Sequence, residues 1–332
     1  MDRDVRRWLI PCAAVLALPL LVAHLRSQTP PAGSQGSASN YTVPRTPWGH
    51  PDFQGIWTTD HFGQHVDLER PAALAGVFES TEADADQRKE DEANQNAFGD
   101  KVGNYGREWR DTEFSRFKPS RRTSLISDPE DGRVPYLPEV RARLAANRQA
   151  ARAREASPQV PADLPDGLRC LRGFPGVNLP IGYNNNKQIV QSPGFVTILY
   201  EMNHDMRVIP LNSPPPLGGL RQAWGVPSGR WEGDTLVIET TNFSGELAFQ
   251  GARENLKITE YFRRTGSEEL DYRFVVEDPT TFARPWTVWM PWLRDDTQYE
   301  VFEYACHEGN YSLTNTLRGA RFAASQKKGG TR

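Results

Sequence analysis

The second half of the chain alternates apolar and polar residues in short runs, a period typical of β-strands. In the run 269–278, Leu270, Tyr272, Phe274 and Val276 share one face, and charged residues occupy most of the other. Clusters of Pro, Gly, Asn or Asp separate the runs, which cover 188–191, 195–202, 206–211, 235–243, 256–264, 269–278, 286–292 and 299–306. Because the connections are short and contain no strong helix, we predict a mainly β fold, an antiparallel meander that closes into a lipocalin-like barrel or a strongly curved sheet.

One of these runs places a carboxylate on its apolar face. Glu260 alternates with Ile258 and Phe262 in the run 256–264. A buried charge is costly unless it is paired, so Glu260 either meets an arginine or keeps a raised pKa that suits acid–base chemistry. An ion pair is the commoner outcome. The runs 195–202 and 299–306 are apolar on both faces, so the direction of their side chains stays open.

The first half of the chain predicts an arm and two helices. Residues 46–57 form an extended arm that ends in a short strand with the Gly-x-Trp found at the start of lipocalin-like barrels. An exposed helix is expected within 68–97, and a clearer one from Pro138 to about Ala156, because proline suits the first helical turn. We therefore expect residues 46–165 to pack on a β domain of residues 166–322, followed by a disordered tail at 323–332.

The N-terminus is typical of a secretory signal. Arginines precede an apolar run that is short for a stable membrane span and contains two prolines. We predict a signal peptide at 1–27, a flexible spacer at 28–45, and a periplasmic or extracellular protein without a permanent membrane span. Cys170 and Cys306 are then the two cysteines of the mature chain, and an oxidising compartment favours a disulfide between them over two buried thiols.

Composition narrows the function classes. Hydrophobic residues make up 38% and charged residues 24% of the chain, which excludes disorder along the whole length and a protein with many membrane spans. The formal net charge of −3 makes nucleic acid an unsuitable partner. The nucleophile elbow, the phosphate-binding loop and the dinucleotide fingerprint are all missing from the sequence.

Candidate chemistry concentrates where predicted strands end. The segments 201–207 and 306–311 each place a histidine beside carboxylates, the minimal acid–base pair near neutral pH. The candidate catalytic residues are His204, His307, Glu308, Asp205, Glu201 and Glu260. The candidate substrate-binding residues are Arg207, Tyr183, Asn184, Asn185, Asn186, Trp286 and Tyr311. For the aromatic and asparagine residues, roles in the core or in backbone hydrogen bonding are the structural alternative.

These two segments could also supply nitrogen and oxygen ligands to a divalent metal. The spacing His-Glu-x-x-His and paired cysteines with zinc spacing are both missing from the sequence. We therefore predict no cofactor, with a divalent metal as the lesser alternative.

Several stretches together resemble a family of exported, largely hypothetical bacterial proteins. They are Pro-Trp-Gly-His-Pro-Asp at 47–52, Tyr-Asn-Asn-Asn at 183–186, Gly-Arg-Trp-Glu-Gly-Asp-Thr-Leu at 229–236, Asp-Pro-Thr-Thr at 278–281 and Glu-Tyr-Ala-Cys-His-Glu-Gly-Asn-Tyr at 303–311. The resemblance covers nearly the whole mature chain. The resemblance implies an exported bacterial protein. It implies no catalytic or binding residue in this sequence.

Two functions fit these observations. The first is a cofactor-independent enzyme, a lyase, hydratase, isomerase or hydrolase that acts on a small polar or carbohydrate-like molecule in a β-sheet cavity. The second is a periplasmic ligand-binding or carrier protein without catalysis. Charged groups at one cavity mouth favour the enzyme, whereas an apolar cavity favours the carrier.

Overall fold

The computed structural model describes residues 41–95, 115–171, 177–212, 219–295 and 301–329. Its strands form one antiparallel sheet that curves into a nearly closed barrel, as the alternation predicts. The strands are β1 (Gly55–Thr58), β2 (Ile126–Asp128), β3 (Asn186–Ser192), β4 (Phe195–Tyr200), β5 (Asp205–Pro210), β6 (Val226–Glu232), β7 (Thr235–Thr241), β8 (Lys257–Arg264), β9 (Glu269–Glu277), β10 (Trp286–Trp289) and β11 (Trp292–Arg294). The α-helices are α1 (Glu82–Gln95), α2 (Pro138–Glu155) and α3 (Tyr311–Gly329).

The order of the strands around the barrel is β5-β4-β3-β1-β11-β9-β8-β7-β6, and β10 pairs with β9 and β2 outside this path. The two end strands of this order meet at a seam. There Leu211 forms an isolated parallel bridge with Gly229, and the Asn212 N–H donates to the Gly229 carbonyl at 2.8 Å. A Cβ atom on Gly229 would lie 2.8 Å from the Leu211 side chain and 2.9 Å from that of Ile209, so the seam has room only for glycine.

Aromatic and aliphatic side chains fill the barrel interior. On β8 and β9 the buried residues alternate as the sequence predicts, with Phe262 and Tyr272 among them. Their ring centroids are 4.5 Å apart, and the Tyr272 ring lies 4.8 Å from that of Trp292. On β4 the structure settles the open direction, because Val196, Ile198 and Tyr200 are buried.

The N-terminal arm (residues 41–54) packs against the turn between β6 and β7. Arg45 donates to the Asp234 carboxylate at 2.6 Å, and the His50 ring stacks on Trp231 with centroids 5.2 Å apart. Two of the segments that carry the family resemblance therefore contact each other, and their shared role in the structure is to hold the arm on the barrel.

The helices and the C-terminus differ in how well the sequence predicts them. Helix α2 ends at Glu155, one residue before the predicted end, and α1 lies within the predicted range 68–97. The predicted disordered tail is wrong for 323–329, which belong to α3. Leu313, Leu317, Ala320 and Ala324 follow a helical period on the less exposed face of this helix.

None of the helices in the described ranges is long and apolar enough to cross a bilayer. The predicted signal peptide lies outside those ranges.

Two strand predictions need correction, and two strands of the structure, β2 and β6, were not predicted. The run 286–292 is two strands, because Pro291 has no N–H for the ladder and separates β10 from β11. Residues 301–306, the described part of the run 299–306, are not a strand, and the Phe302 N–H donates to a side chain instead of a neighbouring strand. Strand β6 was not predicted, because Pro227, Ser228 and Gly229 interrupt its alternation.

Cys170 and Cys306 form a disulfide, as predicted, with Cα atoms 5.7 Å apart and a sequence separation of 136 residues. Cys170 follows a short 3-10 turn at Asp166–Arg169, and Cys306 lies in the irregular segment before α3. The bond therefore ties the segment 301–310, which contains no regular secondary structure, to the connector after α2.

We expect the double variant Cys170→Ser/Cys306→Ser to lose free energy of unfolding. Closing so long a loop restricts the unfolded chain, and the loss should be about 5 kcal/mol on the chain-entropy model. Urea denaturation of the mature protein measures it, and reduced wild-type protein provides the matched control. A loss below about 0.5 kcal/mol would contradict the expected role of the bond.

Candidate functional site

Two loops that the sequence singles out line one cavity of about 250 Å³. One is the turn Met202–His204 between β4 and β5, which contributes Asn203, and the other is the segment 303–308. The lining residues are Cys170, Asn203, Glu303, Tyr304, Ala305, Cys306, His307 and Glu308. The cavity thus brings a histidine, two carboxylates, a phenol and an amide together at the protein surface.

The predicted catalytic residues lie at different distances from this cavity. His307 and Glu308 line it, whereas His204 is exposed beside Asn203 without being a lining residue. Asp205 is the half-buried first residue of β5. Tyr311, at the start of α3, is 74% exposed and does not line the cavity either.

Glu201 is the buried residue that joins the two loops. Its carboxylate accepts hydrogen bonds from the backbone N–H groups of Asn186 and Phe302, both at 3.3 Å. The Asn310 side chain adds a bond to the Leu168 carbonyl at 2.9 Å. The disulfide and these hydrogen bonds together fix the cavity wall on the end of the barrel.

The asparagine run serves the backbone. The Asn185 amide both accepts from the Ile181 N–H at 2.9 Å and donates to the Ile181 carbonyl at 2.5 Å. Asn184 adopts a left-handed conformation with φ of 54°, and Asn186 is the buried first residue of β3. None of these asparagines, nor the half-buried Tyr183, lines the cavity.

Trp286 belongs to the core. Its ring stacks on Phe249 with centroids 5.7 Å apart and meets the edge of Phe282 at 5.6 Å. Alternation on β10 directs it inward together with Val288, and both are fully buried. The structure therefore places Trp286 away from the cavity.

Glu260 and Arg207 form an ion pair inside the barrel, the commoner of the two outcomes expected for Glu260. The two guanidinium Nη atoms donate to the two carboxylate oxygens at 3.0 and 2.6 Å. The same guanidinium also donates to Tyr200 at 3.1 Å and to Thr240 at 3.2 Å. Burial alone would lower the pKa of Arg207, but the Glu260 carboxylate outweighs it and raises that pKa.

The Tyr272 hydroxyl completes this network by donating to Glu260 at 2.9 Å. Burial and the negative charge of Glu260 together raise the pKa of Tyr272 well above its usual value, so the phenol stays protonated. The network thus joins five strands, β4, β5, β7, β8 and β9. Neither Arg207 nor Glu260 lines the cavity.

A second buried cation, Lys187, was missed by the sequence analysis. Its ammonium donates to the Thr59 hydroxyl and to the Asn185 carbonyl, both at 2.5 Å, and lies 5.4 Å from the centre of the Trp292 ring. Within the described ranges, no carboxylate forms an ion pair with it at 4.0 Å or less. Burial lowers the pKa of Lys187 to about 7, against the opposing effect of Asp60 and Glu201.

His61 lies in the same buried region. Burial first, and then the charges of Lys187 and His65, lower its pKa to about 3, so the ring is neutral at physiological pH. Its Nδ1 atom is buried and makes no hydrogen bond in the described part of the chain. Buried groups with shifted pKa values at strand ends are typical of functional regions, although structural networks share this property.

Alternation could have identified Lys187. Extending the run 188–191 by one residue puts Lys187 on the inward face of Ile189 and Gln191, the same reasoning that placed Glu260 inside.

Removing the Glu260 charge should destabilise the protein strongly. We expect Glu260→Gln to lower the free energy of unfolding by about 3 to 5 kcal/mol, because the Arg207 charge stays buried without its partner. Glu239→Gln is the matched control, since Glu239 forms an exposed pair with Lys257 at 2.7 Å. Its loss should stay below about 1 kcal/mol. Equal losses in urea denaturation would contradict a structural role for the buried pair.

Lys187 should make stability depend on pH. The pKa of Lys187 is about 7 in the folded protein, against the usual lysine pKa of 10.5 in the unfolded chain, so the unfolded chain holds more protons between these values. Stability should therefore rise with pH from 7 to 10.5, by at most about 1.4 kcal/mol per pH unit. Urea denaturation of wild type and Lys187→Met across this range isolates the effect, because the variant lacks the titrating amine. Parallel curves for the two proteins would refute it.

Searches of protein-family models, curated proteins and solved structures find no match to this chain. The family resemblance therefore stays a hypothesis that rests on its motifs, and the geometry of the site carries the functional argument.

Proposed function

We propose that the protein is an exported enzyme that performs acid–base chemistry on a small polar molecule bound in the cavity between Met202–His204 and 303–308. The observation that carries this proposal is the lining of the cavity, where His307 and Glu308 stand beside Asn203 on one surface. A lyase, hydratase, isomerase or hydrolase reaction would need this kind of proton donor and acceptor. No cofactor is needed for such a step.

His307 is the group that we propose moves the proton, with Glu308 orienting it or stabilising its charged form. His204 becomes the less favoured of the two histidines, because Asn203 and not His204 lines the cavity. Glu201 is a positioning residue in this proposal, since its buried carboxylate holds Phe302 and hence the segment that follows.

Export is part of the proposal. The disulfide between Cys170 and Cys306 fits an oxidising compartment, where such bonds persist. The signal-like N-terminus adds support from the sequence. The site would then meet its substrate in the periplasm or outside the cell.

A carrier that encloses its ligand within the barrel has less support. The barrel interior contains packed rings such as Phe262, Tyr272 and Trp292, with centroids 4.5 to 5.1 Å apart. The charged groups of the cavity lie outside this core, which is the arrangement that favours the enzyme.

Proton exchange in deuterium oxide tests the proposal without knowing the substrate. The mature protein would be incubated with a panel of small hydroxy acids, keto acids, sugars and amino alcohols, and NMR would record loss of C–H signals or new products. We expect turnover or exchange of at least one compound, and a decrease of about 100-fold in His307→Gln and in Glu308→Gln. Both variants should keep the wild-type melting temperature, because both side chains are exposed.

Two further variants sharpen this test. Glu246→Gln removes a carboxylate from an exposed loop away from the cavity and is the charge-matched control. His204→Gln separates the two histidines. Loss of activity in His204→Gln with full activity in His307→Gln would overturn the assignment of the proton-transfer group, and binding without any turnover would favour the carrier.

A further inference from the structure

The charged side chains that line the cavity include two carboxylates. Glu303 and Glu308 are lining residues, and among the residues that the structure describes no lysine or arginine lines the cavity with them. Across the described ranges, neither carboxylate forms an ion pair, whereas other surface carboxylates such as Glu239 have a cationic partner within 4.0 Å. Uncompensated charge of one sign in a concave surface raises the local concentration of the opposite ion. The cavity therefore attracts cations and repels carboxylates and phosphates.

One aromatic side chain, Tyr304, lines the cavity together with these carboxylates. Phe302, which is 57% exposed, and Tyr311, which is 74% exposed, belong to the neighbouring sequence without being lining residues. Aromatic faces attract ammonium groups, and exposed rings of this size would also cover the methyl or methylene groups of an organic ion. Two carboxylates with the Tyr304 ring between them in sequence are the kind of groups that recognise amines.

The volume of the cavity and the side chains around it favour an organic cation over a metal ion. A volume of about 250 Å³ suits a small molecule and is below the range typical of drug-sized ligands. No group of three His, Cys, Asp or Glu side chains converges anywhere in the described ranges, so a divalent metal would lack its usual ligands in this cavity.

We infer that the cavity binds a small organic cation, an amine or a quaternary ammonium compound, through Glu303, Glu308 and Tyr304. The inference rests on the same cavity as the proposed function and names the class of its substrate. In the proposed reaction Glu303 would hold the cationic group, and Glu308, beside His307, would add to the negative charge that attracts the cation. His307 would then act on a neighbouring carbon or hydroxyl of the same molecule.

Choline and its uncharged isostere 3,3-dimethylbutan-1-ol form a matched pair of probes. Each would be titrated into the isotope-labelled mature protein, and NMR shifts of 303–308 and Asn203 would give the dissociation constants. We expect choline to bind at least about tenfold more tightly than the isostere. Affinity for choline should fall severalfold in Glu308→Gln and at higher sodium chloride concentration, while Glu246→Gln binds like wild type.

Several outcomes would overturn the inference. Equal binding of the two probes would show that charge plays no part, and absence of shifts with both would show that the cavity does not bind this class. Tighter binding of calcium chloride at the same residues would identify the occupant as a metal ion. Turnover confined to neutral or anionic compounds in deuterium oxide would refute the cationic class while the proposed enzyme stands. Choline binding without turnover of any compound would refute the enzyme and support the binding site.

Discussion

The ion pair between Arg207 and Glu260 is the buried interaction that links the two ends of the nearly closed barrel. Strands β5 and β6 stand at the two ends of the strand order and share one isolated backbone bridge in the described part of the chain. Arg207 extends from β5 across the interior to Thr240 on β7 and Glu260 on β8. Buried side chains therefore link the strands on the two sides of the seam, where the backbone contributes few hydrogen bonds. Because these side chains are buried, water does not compete for their hydrogen bonds.

The ion pair also affects the cavity, because the turn that lines the cavity leads directly into β5. The turn that contributes Asn203 ends where β5 begins, so the strand anchored by Arg207 also carries one wall of the cavity. The opposite wall is held by the Cys170–Cys306 disulfide and by the hydrogen bond from Phe302 to Glu201. A rigid scaffold with functional groups on loops at strand ends is the arrangement that binding and catalysis use most often.

Much of the fold could be predicted from the sequence, because strands with one buried face leave a period of two. That period located β7, β8 and β9 and directed Glu260 inward, and Pro138 marked the start of α2. It did not locate β6, where Gly229 is required by the close approach of Leu211 across the seam, a contact between residues far apart in sequence. Such a requirement has no local signature.

The site was predictable only in part for the same reason. Histidine and carboxylates at strand ends indicated the two loops that line the cavity, but the choice between His204 and His307 depends on how the turn packs. Alternation places Lys187 on the inward face of β3, but its contacts with Thr59 and Trp292 come from other elements and have no local pattern in the sequence. For Trp286, the alternation with Val288 favours the core over substrate binding, and the structure confirms the core.

Hydrogen–deuterium exchange gives the most direct measurement of the central claim, that the buried pair closes the barrel. Wild type and Glu260→Gln would be compared under conditions in which both remain folded, with amide exchange resolved along the chain. The account predicts that the variant accelerates exchange in β5 and β6, on the two sides of the seam, by at least about tenfold more than in β9. A uniform increase across all strands, or unchanged protection at the seam, would contradict it.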